Sequence, residues 1–139
     1  MNKRPIIIIE DDNDDQEMLR EVFMELEVPN EIHFFDSCEH VFNYLMESIL
    51  KPLLIISDIN LPAMTGFQLK QKINATENLR KRNIPFVFLT TNGDQKMIQQ
   101  AYDIAVQGYF VKPSSMAGIK EIIRKILDYW KISRLPETE

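Results

Sequence analysis

Residues 5–12 read Pro-Ile-Ile-Ile-Ile-Glu-Asp-Asp: four consecutive isoleucines that stop abruptly on three acids. A β-branched run with no polar alternation suits a strand covered on both faces, and such strands occupy parallel sheets flanked by helices. Further apolar runs recur at residues 32–35, 53–56, 85–89 and 108–111. Three of them also lead into chemistry-bearing residues: Asp58-Ile59-Asn60 after the run at 53–56, Thr90 after 85–89, and Lys112-Pro113 after 108–111. In a parallel sheet the carboxyl ends of the strands share one edge. Glu10, Asp11, Asp58, Asn60, Thr90 and Lys112 should therefore converge although most of the chain separates the first from the last.

Between the runs the apolar period becomes helical. Met18, Leu19, Val22, Phe23 and Leu26 form one stripe, and Asn13 or Asp14 ahead of it can accept from the first free N–H groups. Val41, Phe42, Leu45 and Met46 mark a second helix after Ser37. Phe67, Leu69, Lys70 and Ile73 mark a third after Gly66, and Met97, Ile98, Ala101, Tyr102 and Ala105 a fourth opened by Asp94. A fifth carries Ile119, Ile122, Ile123, Ile126, Leu127 and Trp130 on one face, with Lys120, Glu121, Arg124, Lys125 and Asp128 opposite. Strands alternating with helices imply right-handed crossovers and an α/β, doubly wound parallel sheet. The polar stretch 75–83 reads as an extended loop or helix end. The expected organisation is one domain over residues 1–132 and a short tail, 133–139, with no output domain.

At 139 residues and 45% hydrophobic content, the chain supports one substantial core and not two. A formal net charge of -5 argues against nucleic-acid binding by phosphate neutralisation. Arg80-Lys81-Arg82 is a local basic cluster that reads as a solvated helix end. The single cysteine, Cys38, excludes an intramolecular disulfide and fits a reducing compartment. No signal peptide or membrane-spanning apolar stretch is legible, so the cytoplasm is the expected location.

Glu10, Asp11 and Asp58 gathered at one edge would repel, and a divalent cation among them relieves that repulsion. Magnesium, or manganese, suits such a set of hard oxygen donors. Asp11 and Asp58 would ligate directly, Glu10 through water, and Asn60 through its backbone carbonyl. An EF-hand calcium loop counted from Glu10 fails because Asp15 stands where glycine is needed. Asp12, Asp14 and Asp15 read as helix-start residues that favour the positive end of the dipole. Asp58 could attack a phosphoryl group to give an acyl phosphate, with the metal and Lys112 neutralising its oxygens and Thr90 donating a hydroxyl.

The motifs Ile-Ile-Glu-Asp-Asp, Ser-Asp-Ile-Asn-Leu-Pro with Gly66 following, Leu-Thr-Thr and Gly-Tyr-Phe-Val-Lys-Pro, in this order, resemble the receiver domains of two-component response regulators. The resemblance covers about residues 5 to 130. It implies a flavodoxin-like (βα)5 fold of strand order 2-1-3-4-5, with Asp58 as phosphoacceptor, Glu10 and Asp11 as the acidic pair, and Lys112 as the phosphate-binding lysine. It also implies a cis Lys112-Pro113 bond and a switch in which Thr90 and Tyr109 remodel the surface of the fourth helix, fifth strand and fifth helix. Asn60 and Asn92 occupy positions that influence acyl-phosphate lifetime. Expected partners are a sensor histidine kinase and a downstream protein target or phosphotransfer protein, without nucleic acid or membrane. The polar segment before Ile84-Pro85, Leu-Thr-Thr, and Tyr129-Trp130 followed by Leu135-Pro136 are similar to stand-alone receivers that partner phytochrome kinases. Some of these pair as homodimers, and Trp130 could be exposed for that purpose or packed in the core.

Such a protein is not an enzyme in the ordinary sense: it catalyses its own phosphorylation and dephosphorylation. Three alternatives compete. A haloacid dehalogenase-like phosphohydrolase would use Asp11 as nucleophile, but needs a second aspartate where Asn13 stands. A phosphorylation-independent interaction module would not need Asp58 and Lys112. A flavin carrier of similar architecture would need a phosphate loop where this chain is acidic.

Overall fold

The computed structural model describes residues 4–136. Five parallel strands, β1 (Ile6–Ile9), β2 (Ile32–Phe35), β3 (Leu54–Ser57), β4 (Phe86–Thr90) and β5 (Gly108–Val111), form one sheet in the order β2-β1-β3-β4-β5. Helices α1 (Asn13–Glu25), α2 (Cys38–Met46), α3 (Gly66–Ala75), α4 (Glu77–Arg80), α5 (Gln95–Asp103) and α6 (Met116–Ile132) connect and flank them. The strand order and the single domain are those expected from the sequence, with one helix more than the five expected. The final residues of the expected tail, 137–139, lie outside the described residues.

The isoleucine run shows why the sheet is covered twice. Ile7 and Ile9 enter a core shared with Val41, Leu45, Leu69 and Ile73, whereas Ile6 and Ile8 enter a second core with Leu19, Val22, Ile119 and Ile123. All four isoleucines are at most 1% exposed. Each buried side chain of this size contributes roughly 2 kcal/mol, so a polar residue on either face would be costly. Residues on β2, at the sheet edge, are only half-buried. Trp130 packs partly buried against the second core and meets Tyr129 edge-on at 4.8 Å.

The helix starts follow side-chain capping. Ser37, Asp94 and Ser115 accept from backbone N–H groups at the starts of α2, α5 and α6. Asp12, and not Asn13 or Asp14, caps α1, accepting from the Asp14 N–H at 2.9 Å; an N-cap must precede the first helical residue. Stretch 75–83 contains the extra helix α4, a single turn started at Thr76. The Lys112–Pro113 bond is trans, since no described peptide bond is cis. This corrects the cis expectation; proline narrows the trans preference without reversing it.

Arg82 departs from the solvated reading of the basic cluster. Its guanidinium donates to Leu45 O at 3.0 Å, Ser48 O at 2.8 Å and Leu50 O at 3.0 Å, tying the end of α2 and its following loop to the segment before β4. Only Leu45 belongs to α2; Ser48 and Leu50 lie in the loop beyond it, where no helix continues to supply donors. Arg82→Ala should cost about 2 kcal/mol, the scale of charge-assisted hydrogen bonds lost from partly buried carbonyls. Urea unfolding of the variant checks this, and a loss below about 0.5 kcal/mol, the range of ordinary surface changes, would contradict it. Cys38, fully buried at the first position of α2, has its thiol pushed up to about 12 by burial, with the Glu39 charge adding to it.

Candidate functional site

Register brings the strand ends level. Ile9 pairs with both Phe35 and Ser57, and Thr90 pairs with Val111. Backbone bonds then continue one residue past the ladder: Glu10 N–H donates to Phe35 O at 3.0 Å, Asp58 N–H to Ile9 O at 3.0 Å, and Lys112 N–H to Thr90 O at 2.7 Å. The chemistry-bearing residues are therefore fixed by the sheet itself, which favours precise placement.

Lys112 is the centre of the cluster. Its ammonium donates to Glu10 Oε1 at 2.7 Å and to Asp15 Oδ2 at 3.2 Å, and lies 3.6 Å from Asp58 Oδ2. Both Lys112 and Glu10 are buried, with side chains 7% and 3% exposed. Burial pulls the Lys112 pKa down, but the Glu10 hydrogen bond and the charges of Asp58, Glu10 and Asp15 outweigh it and hold the amine above its usual range. Burial raises the Glu10 carboxyl, with the Asp58 charge in the same direction, while Lys112 and the Asp12 N–H oppose it. Asp58 is oriented by its own turn: Oδ1 accepts the Ile59 N–H at 2.7 Å. The next carbonyl, Ile59 O, accepts from Leu61 and Gly66 at 3.0 Å each.

Thr90 closes β4 and is 1% exposed. A chain of hydrogen bonds runs from it through Asn92 to Tyr109. Asn92 N–H donates to Thr90 Oγ1 at 3.5 Å, and Tyr109 OH donates to Asn92 O at 2.6 Å. The Asn92 side chain accepts the Asp94 N–H at 2.8 Å, shaping the loop ahead of α5. The Tyr109 ring is half-buried and meets Phe88 edge-on at 6.2 Å. Burial, then the Asp94 and Asp58 charges, raise its phenol above the ordinary value.

The structure thus brings Glu10, Asp58 and Lys112 together and links Thr90, Asn92 and Tyr109. Asp11 and Asn60 are exposed beside this edge, each following a strand-end residue of the cluster. Asp15 is the addition: Asp12 caps α1 and Asp14 and Asp15 stand in its first turn, as the helix-start reading has it, but that reading leaves out the contact of Asp15 with Lys112.

Among the described residues, no three acidic, His or Cys side chains form a ready-made metal cage. Glu10 instead spends Oε1 on Lys112 and Oε2 on the Asp12 N–H at 3.2 Å. The residues nevertheless fit a hard divalent cation. One ammonium faces Glu10, Asp15 and Asp58, so negative charge remains in excess, and the neighbouring donors are all oxygens.

The family described as response regulator receiver domain matches residues 6–124. The chain belongs to that family, the receivers of two-component signalling. In sequence it is 28% identical over 131 residues to the probable methanogenesis regulatory protein FilR2 of Methanothrix harundinacea, covering 90% of this chain and 82% of that protein. In structure it is similar to the phosphorylated cyanobacterial phytochrome response regulator RcpA, at TM-score 0.86 and 26% identity over 96% of this chain and 99% of that one. RPA3017, a response regulator in red light signalling of R. palustris, also gives TM-score 0.86, at 25% identity over 97% and 99% of the two chains. Receiver domains bind divalent metal in crystals: Rcp1 has been solved in a Mn2+-bound form, and the PA1611 receiver of Pseudomonas aeruginosa with Mg2+ in its active-site cleft.

Proposed function

We propose that Asp58 accepts a phosphoryl group from a sensor histidine kinase and that the resulting charge switches the face formed by α5, β5 and α6. The observation that carries this reading is Lys112 Nζ, buried and held by Glu10 at 2.7 Å, standing 3.6 Å from Asp58 Oδ2. In the transfer, an Asp58 carboxylate oxygen bonds to phosphorus as the phosphorus–nitrogen bond to the donor histidine breaks, and the imidazole leaves to take up a proton. Phosphoryl transfer demands placement and charge neutralisation more than covalent help from the protein. Lys112 supplies one fixed positive charge. Glu10, Asp11, Asp58 and the Asn60 carbonyl would hold Mg2+ or Mn2+, which supplies the remainder when bound.

Thr90 then reads the new phosphoryl oxygens. Drawing its hydroxyl away from the Asn92 N–H loosens the loop whose Asn92 carbonyl holds the Tyr109 hydroxyl, so that the ring can let go of that carbonyl and repack. This is a two-state element biased by charge-assisted hydrogen bonds. Asn60 and Asn92, beside the reacting centre, adjust how long the acyl phosphate survives. The responding face carries Tyr102 and Val111, 50% and 45% exposed, and suits a downstream protein, a phosphotransfer protein or a second copy of the chain. No helix of the described residues is long and apolar enough to cross a membrane.

Intact mass after incubation with Mg2+ and acetyl phosphate tests the reading. The chain should gain roughly 80 Da, one phosphoryl group, and Asp58→Asn should abolish the gain. Retention of the adduct in the variant, or none from acetyl phosphate or kinase in the native chain, defeats the proposal. Multiple turnover of small phosphomonoesters would instead favour a hydrolase.

A further inference from the structure

A cavity of about 260 Å³ lies at the end of the sheet opposite Asp58, where Ile84 and Pro85 enter β4 and Gln107 enters β5. We infer that it binds a small organic carboxylate with an apolar body, its anionic head held by Lys70 and Arg80 and its body against Trp130.

Lys70 is the reason. It is 7% exposed on α3, and its ammonium donates to Asn74 Oδ1 at 2.8 Å. That amide is itself fixed, donating through Nδ2 to Ile104 O at 3.0 Å. Among the described residues no carboxylate pairs with Lys70, and none lines the cavity. A buried ammonium has three donors to satisfy and a large desolvation cost to offset. Burial accordingly lowers its pKa.

The surroundings add to the same preference. Arg80 is anchored by a 3.3 Å bond to Asn74 O, leaving the rest of its guanidinium fork for an anion. Gln107 accepts the Phe86 N–H through Oε1 at 2.7 Å, which turns its NH2 into the available donor. Pro85, Trp130 and Leu135 supply apolar wall. Among the described residues the lining carries two cations and no acid, in a chain of formal charge -5. Small-ligand sites share this design, apolar walls with a few convergent polar groups. The inference stands apart from phosphorylation of Asp58.

Benzoate is a suitable probe, with Trp130, the chain's only tryptophan, as reporter. Titration of the full chain should change Trp130 fluorescence saturably, with a Kd near or below about 1 mM, as a small ligand allows. Benzyl alcohol, the neutral counterpart, should bind at least tenfold more weakly. Lys70→Met should weaken benzoate at least tenfold; removing an unpaired buried charge in favour of methionine threatens folding little. Resonances of the Gln107 side-chain amide should shift with benzoate in the native chain and not in the variant. Absence of saturable binding to the native chain, equal binding of the alcohol, or unchanged affinity in Lys70→Met would each overturn the inference.

Discussion

Lys112→Met loses about 3 kcal/mol of stability at pH 7.5, the low end for breaking a buried ion pair, and its melting temperature falls by about 10 °C for a chain of this length. Methionine keeps most of the stem, so the cavity contribution is small and the lost charge dominates. Glu10, with its side chain 3% exposed, is then left without the ammonium that meets it at 2.7 Å. Asp15 and Asp58 lose the same partner. Without that ammonium the buried Glu10 carboxyl binds a proton more readily.

The pH dependence follows from the direction of that response. Burial already raises the Glu10 carboxyl above 4.5 with Lys112 present, and removing the lysine raises it further. A carboxyl raised in the folded state binds more protons folded than unfolded, so stability falls as pH rises from the unfolded value through the folded one. The difference between native chain and variant should therefore shrink as pH is lowered from 7.5 toward 5. Urea titrations across that range measure it. A difference that stays constant with pH would show that Lys112 acts there through packing and not through Glu10.

The fold was legible because its signals are local. Four isoleucines without alternation can only be satisfied between two layers of helix, and the helical stripes that follow supply those layers. The strand-end chemistry was legible for a related reason: once the sheet is parallel, Glu10, Asp58, Thr90 and Lys112 must share an edge. What escaped was decided by side-chain choice among several nearby partners. Asp15 reads like Asp12 and Asp14 in sequence, yet only its position on the first turn of α1 places it 3.2 Å from Lys112. Arg82 looks like Arg80 and Lys81 until the loop after α2 folds back to offer it three carbonyls. Helix α4 has four residues, too few to display a period. The Lys112–Pro113 isomer depends on a small energy difference that no local pattern encodes.

Gly66→Ala sets two principles against each other, and magnitudes decide between them. Alanine is the better helix former by about 1 kcal/mol, and Gly66 opens α3 behind the capping box of Thr65 and Gln68. A methyl group there, however, would stand 2.5 Å from Asp58 O, 2.7 Å from Phe88 Cε1 and 3.2 Å from Ser57 Oγ. The first of these is backbone, hydrogen-bonded by Ser57 Oγ at 2.6 Å, and the second belongs to a fully buried ring. Neither can swing aside as a flexible tip could. Overpacking of this kind costs about 1–3 kcal/mol or more, so the net effect is destabilising by about 2 kcal/mol. The displacement falls on the carbonyl of the reacting residue, and misplacement by about 1 Å can slow a positioned reaction roughly 100-fold. Phosphorylation of Asp58 by acetyl phosphate should therefore slow at least tenfold, measured under conditions where the variant remains folded. Gly93→Ala is the control: its methyl would meet only Val111 side-chain atoms, at 3.3 Å and beyond, and should change stability by less than about 0.5 kcal/mol. Native phosphorylation kinetics in Gly66→Ala would mean that the β3–α3 turn accommodates the methyl without moving Asp58, and that the glycine serves packing alone.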